Sequence, residues 1–238
     1  MRNIKLTIEY DGKEFNGWQK QPNKLNIQGT IEKVISDITK EEIELIGSGR
    51  TDAGVHALGQ VANFRTNSTI PIEKFAIAIN SRLKKSIVIK KAEEVPDRFH
   101  SRYNCKQKTY RYVINNSETG SAIYRNLEYN IKMPLDVNKM QEAANYFVGE
   151  HDFAGFKASG TSSKSSVRII YSAKVIKDNE RIAIELTGNG FLYNMVRIIA
   201  GTLVEVGLGK IKPEEITEII ESKDRQKAGK TLPAHGLY

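Results

Sequence analysis

The sequence predicts an α+β fold built from two similar α/β halves, with mainly antiparallel, mixed sheets flanked by helices. Two observations carry this expectation. Strand-like segments of period two mix with helical segments of period 3.6, and several strand candidates are joined by hairpin-like turns rather than by the long crossovers of a strict βαβ series. The order of elements before and after about residue 104 is also loosely similar, which divides the chain into halves 1–104 and 105–238.

Ile4, Leu6, Ile8 and Tyr10 alternate with polar residues and predict a first strand with one buried face. Ile27, Ile31, Val34, Ile35 and Ile38 follow helical spacing. Ile43 and Leu45 predict a strand running into the glycine-spaced segment Gly47–Gly59, and Val61 to Phe64 predicts another. Pro71 suits the first turn of a helix that continues through Phe75 to Leu83. A strand over Ile87–Val95 leads to the polar and aromatic stretch from Asp97 to Ile114, read as the start of the second half. Asp136 is a cap candidate for a helix carrying Val137, Met140, Ala144 and Phe147. Val167–Ile176 and Arg181–Leu186 read as strands paired across a turn at Asp178–Glu180. Phe191 to Val206 reads as a strongly apolar helix stopped by Gly207 and Gly209, and Pro213 to Ile220 as a short last one.

Composition narrows the functional classes. Thirty-six Lys and Arg against 28 Asp and Glu leave a net charge of +8, which makes a polyanion such as nucleic acid the first partner to consider. No apolar run approaches the roughly 20 residues a spanning helix needs. Met1 to Tyr10 lacks the continuous apolar core of a signal peptide. The single cysteine, Cys105, cannot form an intrachain disulfide and reads as structural, so a reducing cytoplasm is the expected location.

Several signatures fail. Gly47-Ser48-Gly49 begins like a dinucleotide loop, but Asp52 stands where the third glycine belongs. There is no phosphate-binding Gly-Lys-Ser/Thr loop, and His56, His100, His151 and His235 lack metal-ligand spacing. The expectation is therefore no cofactor and no metal. What remains is the run from Gly47 to Ala57, in which Arg50, Asp52 and His56 sit among glycines that allow close approach to a ligand. On local grounds alone a polar turn with a capping aspartate explains it equally well.

The stretch Gly49-Arg50-Thr51-Asp52-Ala53-Gly54-Val55-His56-Ala57 resembles the catalytic loop of the tRNA pseudouridine synthase A family. Tyr10-Asp11-Gly12, Phe15, Gly17-Trp18-Gln19 and Gln21 are similar to its amino-terminal signature. Lys108-Thr109-Tyr110-Arg111-Tyr112 resembles its tyrosine strand, and Phe191-Leu192-Tyr193-Asn194-Met195-Val196-Arg197 its core helix. Pro233-Ala234-His235-Gly236-Leu237-Tyr238 is similar to its terminal motif. Members of that family run on past this motif into another strand, whereas this chain stops at Tyr238, which leaves open how Leu237 packs.

The resemblance implies isomerisation of uridine at positions 38, 39 and 40 in the anticodon stem-loop of tRNA, in a homodimer whose two subunits share one tRNA. It implies Asp52 as nucleophile, with Tyr110 and Arg197 beside it in a cleft between the halves. Departure of uracil builds positive charge at the anomeric carbon, which one ionised carboxylate can stabilise, add to, or relieve by taking a nearby proton. Arg197, the only charge between Phe191 and Val204, is the candidate for keeping Asp52 ionised, although an arginine there can also snorkel to the surface. The Tyr110 ring suits stacking on the flipped base, and Arg50 suits the space that base leaves or a phosphate. Lys106, Lys108 and Arg111, with Tyr110 and Tyr112 among them, suit an RNA surface, although a solvated charged strand reads the same way. Leu237 completes the substrate contacts, while His56 is expected to make a structural hydrogen bond rather than to titrate in the reaction. The rival reading is a non-catalytic tRNA-binding or RNA-folding module on the same scaffold, which would have no need of an ionised Asp52.

Overall fold

The computed structural model describes residues 1–160 and 165–238. The chain divides into two compact units, 1–105 and 106–238.

In the first unit, β1 (Arg2–Tyr10), α1 (Ile27–Thr39), β2 (Ile46–Gly47), β3 (Ala57–Thr66), α2 (Ile72–Asn80) and β4 (Ile87–Val95) follow in order. The sheet order is β2-β3-β1-β4, with every pair antiparallel. Alternation along β1 puts Ile4, Leu6, Ile8 and Tyr10 into the core. On the opposite face Lys5 pairs with its register partner Glu93 at 2.8 Å and Glu9 with Lys90 at 3.3 Å. α1 starts where the Asn26 side chain accepts a hydrogen bond from the Gly29 N–H, and ends at Lys40 in the left-handed region. Its apolar stripe, Ile27, Ile31 and Ile35, and Phe75 and Ile79 of α2 join the core, where Phe64 meets Phe75 edge-on at 6.0 Å.

The strand expected at Ile43 and Leu45 is not there. Both side chains are buried, but the Leu45 N–H donates to the Glu32 carboxylate and its carbonyl accepts from Gln28, so pairing starts only at Ile46. Period two at that point reflects burial beside a helix, not a ladder.

The second unit contains β5 (Lys108–Asn115), β6 (Tyr129–Asn130), α3 (Val137–Asn145), β7 (Gly149–Asp152), β8 (Val167–Asp178), β9 (Arg181–Gly188), α4 (Met195–Gly207) and α5 (Glu215–Ser222). Its sheet order is β6-β5-β9-β8-β7, antiparallel except for the short β5–β6 pair. Asp136 caps α3 by accepting from the Lys139 N–H at 3.1 Å. Asn179, with φ of 52°, turns the β8–β9 hairpin. Tyr112, Ile114, Ile184 and Leu186 point from β5 and β9 into a core shared with α3 and α4.

α4 begins at Met195, four residues later than its apolar run, because Asn194 adopts a left-handed conformation with φ of 59°. The chain then recrosses this helix at close range: a Cβ on Gly201 would lie 1.9 Å from the Lys230 carbonyl oxygen, and one on Gly229 would lie 2.5 Å from the Thr202 nitrogen. Only glycines permit that approach. Thr202 Oγ1 accepts the Gly229 N–H there at 2.9 Å. Among the described residues no helix is long and apolar enough to cross a membrane, and no group of three or more His, Cys, Asp and Glu could hold a metal ion.

Candidate active site

Asp52 lies in the loop between β2 and β3, half-buried, with Arg50 exposed two residues before it. The loop is fastened at both ends. Ser48 donates its N–H to the Val61 carbonyl at 2.8 Å and its hydroxyl to Gln60 Oε1 at 2.7 Å, while Gln60 Nε2 donates to the Gly49 carbonyl at 2.9 Å. On the far side the Val55 N–H donates to the Asp52 carbonyl at 3.1 Å, a tight turn completed by Gly54 with φ of 77°.

The segment after β1 forms the bed of this loop. The Trp18 N–H donates to the Thr51 carbonyl at 3.0 Å, the Gly54 N–H to the Phe15 carbonyl at 3.3 Å, and the Tyr10 and Thr51 hydroxyls are 2.8 Å apart. Three glycines are needed for that fit. A Cβ on Gly12 would lie 1.9 Å from the Val55 carbonyl oxygen, one on Gly47 would lie 2.6 Å from the buried Trp18 ring, and one on Gly17 would lie 2.4 Å from the Thr51 carbonyl oxygen. The spacing Asp11-Gly12, Phe15, Gly17-Trp18 thus has a local cause: it carries residues 51–55. Trp18 packs rather than stacks on a ligand.

His56 is buried, and its Nδ1 accepts the Gly12 N–H at 3.1 Å and stands 3.1 Å from Asp11 Oδ1. It belongs to the same bed.

In the second unit Lys108, Tyr110 and Tyr112 share one face of β5, and Arg111 points to the other. Tyr110 is half-buried, with its ring edge-on to Phe191 at 5.1 Å. Tyr112 does not belong to a surface at all. Its ring is buried under Gly236, its hydroxyl donates to the Pro233 carbonyl at 2.8 Å, and burial pushes its phenol well above the usual range. Arg111 is exposed but paired across the ladder with Glu185, Nε to Oε1 at 2.7 Å. A charge shared in this way has less to give a phosphate.

The terminal motif closes onto β5. Tyr238 and Arg111 exchange backbone hydrogen bonds of 2.8 and 2.9 Å, which buries Leu237 opposite Tyr112.

Arg197 stands in the first turn of α4, half-buried, and its guanidinium is aimed by two hydrogen bonds. Nε donates to the Leu232 carbonyl at 2.6 Å and Nη1 to Asn194 Oδ1 at 2.7 Å. The sequence does not announce these anchors: the role of Asn194 depends on its left-handed backbone, and that of Leu232 on a main-chain oxygen.

The first unit thus holds a glycine-braced aspartate loop, and the second a half-buried tyrosine and an anchored arginine. A family model described as tRNA pseudouridine synthase matches residues 6–104 and 143–238. The chain is 57% identical over 238 residues to "tRNA pseudouridine synthase A" of Caldicellulosiruptor bescii, covering 100% of this chain and 98% of that protein. It is 54% identical over 238 residues to the protein of the same name in Acetivibrio thermocellus, with the same coverage. With "tRNA pseudouridine synthase A 2" of Clostridium tetani it shares 55% identity over 239 residues, 100% of this chain and 96% of that protein. The chain belongs to the tRNA pseudouridine synthase family.

Proposed function

We propose that this protein isomerises uridine to pseudouridine in the anticodon stem-loop of tRNA, at positions 38, 39 and 40, through Asp52. The reading is carried by the Gly49–Ala57 loop, hydrogen-bonded to its own bed, in a chain similar over its full length to proteins named tRNA pseudouridine synthase A. The bond from the sugar C1′ to N1 of uracil breaks, the base turns, and C1′ bonds to C5. N1 gains a proton as C5 loses one, so no redox partner and no water enters the balance.

Asp52 stabilises the anomeric centre or adds to it, and Arg197 keeps that carboxylate ionised. The Tyr110 ring stacks on the extruded uracil and its hydroxyl relays a proton. Arg50 takes the space of the flipped base or pairs with phosphate, offsetting an unstacking cost of a few kcal/mol. Lys108 faces the same side of β5 as Tyr110 and suits a phosphate, Leu237 an apolar contact to the base, and Arg111, shared with Glu185, a peripheral contact. The reading places the enzyme in the cytoplasm as a homodimer, with tRNA as its partner and neither metal nor membrane.

Incubation with unmodified tRNA, followed by nucleoside analysis, is expected to show pseudouridine formed over many turnovers with no added cofactor. A binding module would leave uridine unchanged. Because the chain carries a net charge of +8, tRNA affinity is also expected to fall steeply with salt, with a log–log slope set by the number of phosphates neutralised. A flat plot from titrations at several salt concentrations would contradict the polyanion contact.

A further inference from the structure

Glu32 is a carboxylate inside the first unit, 6% exposed on α1 among Ile27, Ile31 and Ile35. Apolar side chains would fasten a helix there without the cost of burying charge. Its bonds show what it holds instead. Oε1 accepts the Leu45 N–H at 3.0 Å and Gln28 Nε2 at 2.9 Å. Oε2 has no well-aligned hydrogen bond and faces the Lys20 ammonium at 3.1 Å.

Gln28, one turn earlier on α1, extends the connection in two directions. Its Nε2 also donates to the Leu45 carbonyl at 3.1 Å, and its Oε1 accepts from Gln19 Nε2 and from the Lys20 N–H, each at 3.1 Å. Its own N–H donates to the Trp18 carbonyl at 3.0 Å. The pair therefore clamps residues 18–20 and residue 45 to the same turn of helix. Those are the two supports of the Asp52 loop: Trp18 binds Thr51 through its N–H and packs its ring on Gly47, and Leu45 leads into β2 and Ser48.

We propose that Glu32, acting through Gln28, is a positioning residue for Asp52: it fixes the spacing between the Trp18 segment and β2 and thereby the placement of the catalytic loop. This rests on the function proposed above. Neither residue needs to touch substrate, but a shift of either support moves Thr51, and misplacing a reacting group by an ångström costs about 100-fold in rate. A residue that merely stabilised the unit would lower its melting point and leave turnover by the folded fraction intact.

The test compares Glu32→Leu, Glu32→Gln and Gln28→Leu with wild type in single-turnover assays, tRNA-binding titrations and hydrogen exchange, at a temperature where each is folded. Glu32→Leu and Gln28→Leu are expected to lose about 30-fold or more in the single-turnover rate with tRNA Kd within about threefold, and amides of residues 47–56 are expected to exchange faster than those of β1 and β4. Glu32→Gln keeps an acceptor for Leu45 and Gln28 and is expected to recover most of the rate. Unchanged turnover in the folded Leu variants, a Glu32→Gln variant no better than Glu32→Leu, or unaltered exchange over 47–56 would overturn the proposal. Should Glu32→Leu fail to fold, Gln28→Leu and Glu32→Gln decide the same question. Wild type that makes no pseudouridine would sink the functional reading instead, and the exchange measurement would still judge the clamp.

Discussion

Asp52→Ala is expected to abolish pseudouridine formation, by about four orders of magnitude or more, while tRNA affinity changes by less than about threefold. The size follows from the chemistry. With no second carboxylate assigned to the reaction, nothing replaces the negative oxygen at the anomeric carbon as uracil departs. The retained binding follows from the structure. The loop is braced through the backbone of residues 51–55 and the side chains of Tyr10, Thr51 and His56, none of which the substitution removes. Single-turnover rates and equilibrium binding, measured on the same preparation, separate the two effects. Substantial turnover by Asp52→Ala would remove Asp52 from the mechanism, and a parallel collapse of binding would make it a structural residue.

Arg197→Ala is expected to slow the chemical step by about 100- to 1,000-fold near neutral pH, again with little change in tRNA affinity. Its guanidinium is pre-oriented by the Leu232 carbonyl and Asn194 Oδ1, so the proposed role needs no reorientation of the side chain. Arg197→Lys is therefore expected to rescue poorly, because an ammonium has no planar fork to satisfy both acceptors while presenting a third nitrogen. An unchanged single-turnover rate in Arg197→Ala would remove this guanidinium from the mechanism.

Much of this fold is legible residue by residue. The alternation of Ile4, Leu6 and Ile8, the bounds of β4, the cap at Asp136 and the turn at Asn179 are local effects, and local sequence encodes them. What escapes the sequence depends on partners far along the chain. Leu45 looks like a strand residue but spends its backbone on Glu32 and Gln28, 13 and 17 residues away. The parallel pairing of β6 with β5 spans only two residues on each side and leaves no periodic trace. α4 begins late because one asparagine takes a left-handed conformation that composition does not show.

The candidate site divides in the same way. The motif residues of the Asp52 loop stand out in the sequence, but the reason for Gly12, Gly17 and Trp18 is visible only once they lie beneath Thr51 and Val55. Tyr112 and Arg111 read in sequence as neighbours of Tyr110 on one RNA surface. In the strand they separate, one into the core and one to the opposite face against Glu185.

The most direct test is to map modified uridines at nucleotide resolution in unmodified tRNA treated with wild type or with Asp52→Asn. The account predicts pseudouridine within positions 38 to 40 after wild-type treatment and uridine throughout with Asp52→Asn, which keeps the side chain's shape and removes its charge. Pseudouridine appearing in both samples, or in neither, would contradict it.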